Sequence, residues 1–130
     1  VTIETNASLN LNIDKEYQKE LLFSMSVKLS NSLEPIKKRI NINTLNTILN
    51  NTKESYLKFV IGKDFLNDAK KEINEILSLI PKCDVYLMPL GDTAEQINKN
   101  CEDVINMSIE NGFKYCDRLH IRVWDNKRGV

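Results

Sequence analysis

The stretch Val85 to Thr93, Val-Tyr-Leu-Met-Pro-Leu-Gly-Asp-Thr, is compatible with few folds. Val85, Tyr86, Leu87 and Met88 are four apolar residues without a charge, the pattern of a strand covered on both faces. Pro89 lacks an N–H, so strand pairing is expected to end there. Gly91 permits a turn that other residues resist. Asp92 or Thr93 can cap a following helix, and Thr93 with Gln96 has the spacing of a capping box. A strand, a loop and a helix within about a dozen residues is the βα unit of a parallel sheet, whose ligands sit at the C-terminal ends of the strands.

The rest of the chain repeats this alternation. Strands are expected at Val1–Thr5, Leu21–Ser26, Tyr56–Ile61 and Arg118–Trp124. Helices are expected at Asn43–Asn51, from a cap at Asp64 to a stop at Pro81, and from Asp92 to Gly112. In the last of these, Ile97, Cys101, Val104, Ile105 and Ser108 form the inward stripe. Asn6–Asn12 and Val27–Lys38 read as loops, and Ile13–Glu20 as a segment holding a short helical turn. The expected fold is α/β: a parallel sheet of about five strands alternating with helices. Right-handed crossovers would place those helices on one side of the sheet. At 130 residues the chain is a single domain.

The formal charge balance of zero removes the electrostatic case for nucleic acid or an anionic membrane. No apolar run approaches the ~20 residues that span a bilayer, and no secretory signal opens the chain. The first residue is Val, so the chain reads as a piece of something longer. Cys83, Cys101 and Cys116 are odd in number and widely spaced, which argues for free thiols in a reducing cytoplasm rather than a disulfide framework or a metal site.

In a parallel sheet, polar residues at the strands' C-terminal ends share one rim. Here these are Glu4, Thr5 and Asn6; Ser24, Ser26 and Lys28; Lys63; and the Met88–Thr93 loop. Hydroxyls, an amide and an ammonium on one rim suit a ligand bearing a carboxylate, an amine and a sugar. The plainer reading is that such residues finish strands and open turns. On the last expected strand, Arg118, His120, Arg122 and Trp124 would share one face. They are either a site for an anionic heterocycle or the charged guard of a sheet edge. The sequence contains no acid–base pair, nucleophile motif, phosphate-binding glycine loop or metal-ligand cluster.

Several stretches, taken in order, resemble the 7-carboxy-7-deazaguanine synthases, a family of radical S-adenosylmethionine enzymes. They are Ile3–Asn6, Ser26–Ser30, Leu57–Val60, Tyr86–Pro89 with Gly91, and Arg118–His120 followed by Trp124 and Lys127–Val130. The resemblance implies the C-terminal half of a (β/α)6 partial TIM barrel, with S-adenosylmethionine as cofactor. It implies a ring contraction of 6-carboxy-tetrahydropterin to 7-carboxy-7-deazaguanine with loss of ammonia. Glu4, Thr5 and Asn6 would lie near the cofactor's methionine moiety. Ser26, Val27 and Lys28 match the family's Ser-Pro-Lys cofactor loop, with Val27 in place of the proline. Met88, Pro89 and Gly91 would flank the adenosine, and Arg118 and His120 the pterin. The family's Cys-x-x-x-Cys-x-x-Cys for the [4Fe–4S] cluster, its Mg2+ ligand and its Gly-Gly-Glu stretch have no counterpart in these residues. The expectation is a chain inactive alone, acting as a homodimer or with a missing N-terminal half. The rival is a non-catalytic α/β binding domain that kept the fold.

Overall fold

The computed structural model describes residues 1–129; Val130, the last residue of the closing resemblance, lies outside them. Five strands form one sheet in the order β1-β2-β3-β4-β5, and every neighbouring pair is parallel. They are β1 (Thr2–Thr5), β2 (Leu22–Ser26), β3 (Tyr56–Ile61), β4 (Val85–Pro89) and β5 (Lys114–Tyr115). The helices are α1 (Ile36–Arg39), α2 (Ile42–Asn51), α3 (Leu66–Leu77), α4 (Ala94–Asn111) and α5 (Leu119–Trp124), with single 3-10 turns at Glu16–Glu20, Ser30–Ser32 and Lys63–Phe65. The α/β class and the parallel sheet agree with the sequence.

Register decides which side chains share a face, because residues opposite one another in a parallel ladder point the same way. One face carries Met25 beside Leu57, and Phe59 beside Leu87; all four are fully buried. Leu45 and Ile48 of α2, Ala69, Ile73 and Ile76 of α3, and Val104 and Met107 of α4 complete that core. The other face carries Glu4–Ser24–Tyr56 and Ser26–Lys58–Tyr86 in lateral rows. Along β3 and β4 the residues of this face are only half-buried, so one side of the sheet is left open.

The αL residue Gly112 (φ 67°) ends α4, as expected. Thr93 caps α4 by accepting from the Gln96 N–H, whereas the Gln96 side chain reaches back to the Asp92 N–H, one residue earlier than a capping box requires. Asp64 caps nothing: Phe65 holds the N-cap position of α3 without a side-chain bond. That helix already stops at Leu77, so Pro81 follows an end rather than making one. The inward stripe of α4 includes Met107, while Ile105 faces outward.

One strand expectation holds and one is corrected. Pairing ends with Pro89, as expected: it is the last residue of β4, opposite Ile61, and the Leu90 N–H closes the ladder on the Ile61 carbonyl at 2.8 Å. The proline's missing donor faces the β5 side, where the ladder has already closed with the Cys116 N–H on the Leu87 carbonyl. The segment Arg118–Trp124 is not a strand. The strand is Lys114–Tyr115, and Leu119–Trp124 is the short helix α5, of which Ile121 alone is buried. A single buried residue in six cannot separate a period of two from one of 3.6, and the ladder on β4 is used up by Tyr115. Val27–Lys38, read as loop, contains a 3-10 turn and the single helical turn α1.

Candidate functional site

On the open face of the sheet, at the C-terminal ends of the strands, lies a cleft of about 540 Å³. Glu4 of β1, Tyr56 and Lys58 of β3, Tyr86 and Met88 of β4, and Arg118 and His120 at the start of α5 line it. Lys58 stands alone as a cation inside the apolar strand Tyr56–Ile61, and its side chain is only 15% exposed. Its Nζ lies 3.3 Å from the Glu4 Oε1, whose side chain is 76% exposed. The Tyr56 and Tyr86 rings meet at 4.6 Å between centroids, tilted by 50°. The same two rings line a second cavity of about 410 Å³, with Lys53, Lys82 and Cys83, so they partition the two spaces. The Ser24 hydroxyl, on the open face opposite Glu4, is buried and has no partner among the described residues.

The segment carrying Arg118 and His120 is tied down from three directions. Arg118 Nη1 donates to the Gly91 carbonyl at 2.8 Å, bridging α5 to the loop after β4. Asp117 accepts from the Arg118 N–H at 2.8 Å and pairs with Arg122. Asp125, just past α5, accepts from the Ala94 N–H at 2.7 Å. The Asp117 carboxylate raises the pKa of Arg122, which therefore stays charged. Arg122 turns to Asp117 and to Asn98 of α4, away from His120. The common face of Arg118, His120 and Arg122 thus does not exist.

The sequence-named residues divide into two sets. Glu4, Met88, Arg118 and His120 come together in the cleft, and Ser26 sits beside Lys58 by register. Thr5 instead accepts from the Ala7 N–H, and Asn6 from the Ser8 N–H and hydroxyl, so both close their own loop. Val27 and Pro89 are buried. Lys28 is exposed, and Gly91 contributes its carbonyl to Arg118. Lys58, Tyr56, Tyr86 and Asp117 were missed. A lone lysine at a period-two position between apolar residues was the available signal for Lys58.

The three thiols are free and do not converge. Cys83 precedes β4 at its N-terminal end, Cys116 follows β5 at the other end, and Cys101 lies on α4. Among the described residues no group of three His, Cys, Asp or Glu side chains could hold a metal ion, and no helix is long and apolar enough to cross a membrane.

Burial pushes the Cys83 thiol above its ordinary 9.0. Burial, and then the Asp117 charge, push the Tyr115 phenol above 10.0. A raised folded-state pKa means that the folded chain holds its proton more tightly than the unfolded chain. The stability this confers is complete below the unfolded values and is lost as pH rises through the folded ones. Thermal melts are expected to hold level from neutral pH to about 9 and to fall above it. The decline should be smaller in Cys83→Ser, and an unchanged Tm up to pH 11 would refute the linkage.

No family model and no solved structure matches this chain. Three curated proteins do, each bearing the name 7-carboxy-7-deazaguanine synthase. The protein from Rhodopirellula baltica is 31% identical over 146 aligned positions that take in 100% of this chain and 52% of that protein. Those from Pyrobaculum aerophilum and Halobacterium salinarum are each 28% identical, over 58% and 68% of this chain and 34% and 36% of their own lengths. The chain thus spans about half, or less, of the curated relatives it matches.

Proposed function

From a chain that resembles the 7-carboxy-7-deazaguanine synthases along its whole length, we propose that this is the nucleoside- and pterin-holding part of a radical S-adenosylmethionine enzyme. One observation carries the reading. Glu4 and Met88, which the resemblance marks for the cofactor, share a single cleft with Arg118 and His120, which it marks for the substrate.

The donor set suits both molecules. Glu4 offers a carboxylate to an ammonium, and the unpartnered Ser24 hydroxyl lies opposite it on the same face. Lys58, largely withdrawn from water, offers a charge to a carboxylate, and Arg118 a second. His120 presents ring nitrogens to the edge of a heterocycle, and the paired Tyr56 and Tyr86 rings line the same cleft. S-adenosylmethionine would supply a 5'-deoxyadenosyl radical that abstracts a hydrogen from the pterin, in a reaction aided by Mg2+. The residues present do not fit a [4Fe–4S] cluster, because Cys83 and Cys116 stand at opposite ends of the sheet and Cys101 lies on α4. No step within these residues runs through one. Cluster and Mg2+ ligands would come from an N-terminal half or a separate subunit, in the cytoplasm, and the chain alone would not turn over substrate.

Calorimetric titration with S-adenosylhomocysteine and with 6-carboxypterin tests the reading. Glu4→Gln is expected to weaken the first by about tenfold, the worth of one hydrogen bond to a charged group. His120→Ala should weaken only the second. If the chain binds neither compound, the proposal is wrong. Binding of both by a chain that stays inactive when joined to a cluster-bearing half would favour the non-catalytic alternative.

A further inference from the structure

The helices that cover the core leave a groove of about 530 Å³ between α1 with the start of α2 and α3 with the turn that follows it. Its walls are aliphatic, with Ile36, Ile40 and Ile42 on one side and Ile76 and Leu79 on the other. Ile76 is buried, but Ile36 is 61% exposed and Leu79 60%. Leu33, three residues before α1, is 92% exposed on a left-handed backbone (φ 62°). Large aliphatic side chains left in water around one groove with a polar rim mark a contact surface.

The charges on the two rims are sorted by sign. α1 contributes Lys37, Lys38 and Arg39, and α3 contributes Glu72 and Glu75. Arg39 and Glu72 are already spent: they pair at 3.5 Å, and Glu72 also accepts from the Ser30 N–H and hydroxyl. Lys37 and Glu75 are exposed and join no ion pair among the described residues. A groove that is basic on one rim, acidic on the other and apolar between carries its own complement. Turned about a two-fold axis, the basic rim of one copy faces the acidic rim of a second, and the aliphatic walls meet between them. A small ligand or an unrelated chain would have to bring that pattern, whereas a second copy already has it. We infer that this groove is the face on which two copies of the chain pair, with Lys37 of each copy against Glu75 of the other. The homodimer implied by the resemblance came with no face; the sorted charges supply one. The pairing does not depend on what the cleft binds.

Sedimentation equilibrium of the full chain tests this, with the charge reversals Lys37→Glu and Glu75→Lys. Both side chains are exposed, so each variant should fold with a Tm close to wild type. Wild type is expected in a monomer–dimer equilibrium. Each reversal sets like charges together twice in a symmetric dimer, so the dimer Kd should rise by at least about tenfold. An equimolar mixture of the two variants should form a heterodimer of wild-type affinity, because each then meets its opposite charge. The double variant Lys37→Glu/Glu75→Lys should recover that affinity on its own. Wild type that stays monomeric up to its solubility limit overturns the inference, as does a dimer that ignores both reversals. Recovery in the double variant without recovery in the mixture would place the two charges in contact within one copy, and overturns it equally.

Discussion

Gly91→Ala is expected to destabilise the domain by about 3 kcal/mol, near the top of the range for single substitutions. Gly91 has φ 157°, and a Cβ built there would stand 2.8 Å from the Gln96 Cβ and 2.9 Å from the Ile97 backbone nitrogen. Neither neighbour can retreat cheaply. The Ile97 N–H is bonded to the Thr93 carbonyl at 3.0 Å, and the Gln96 side chain holds the Asp92 N–H at 2.8 Å. The first turn of α4 would have to shift as a unit or the loop would have to swing outward. Swinging outward would break the bond from Arg118 to the Gly91 carbonyl and carry the start of α5 with it. Stability and the shape of the cleft should therefore fail together. Urea unfolding would give the first, and 6-carboxypterin titration of the folded fraction the second. A loss below about 0.5 kcal/mol would mean that the close approach is not a constraint.

Two adjacent residues of β3 should behave in opposite ways. Phe59→Ala is expected to cost about 3–5 kcal/mol, because it empties a fully buried site between Leu87 and the helices. In a domain whose whole stability is of the order of 5–15 kcal/mol, much of the population would unfold. Lys58→Met should change stability by less than about 1 kcal/mol, since its partner Glu4 is largely in water and the pair is weak. The same change should weaken 6-carboxypterin binding by at least about tenfold, because the cleft loses its best-shielded cation. Thermal melts and titration of both variants check this. Equal destabilisation would show that the two faces of the sheet are alike and that the open face is core. Unaltered binding in Lys58→Met would remove the lysine from the site.

That contrast also marks where sequence reasoning reached and where it stopped. Strong local patterns carried the strands at Tyr56 and Val85, the stop at Gly112 and the Thr93 cap, because each is decided by bonds within a few residues. Asp64 misled for the same reason: it has a capping chemistry, but the chain made its turn one residue later, at Phe65. At the rim, composition suggested which residues were polar and not where their atoms go. Thr5 and Asn6 spend theirs on neighbouring amides, and the contact between Glu4 and Lys58 joins positions 54 apart.

By itself the sequence determined the parallel α/β sheet, since mainly apolar strands alternating with amphipathic helices can bury their apolar surface in few other ways. It also carried the resemblance that the comparison, at 31% identity over the full chain and 52% of the relative, supports. Only the tertiary structure decided that Leu119–Trp124 coils instead of pairing, that one face of the sheet stays open, and that Lys58 rather than Arg122 enters the cleft. Those outcomes depend on which distant backbone is free to accept a hydrogen bond and which space the helices leave unfilled, and neither quantity is local to any stretch of residues.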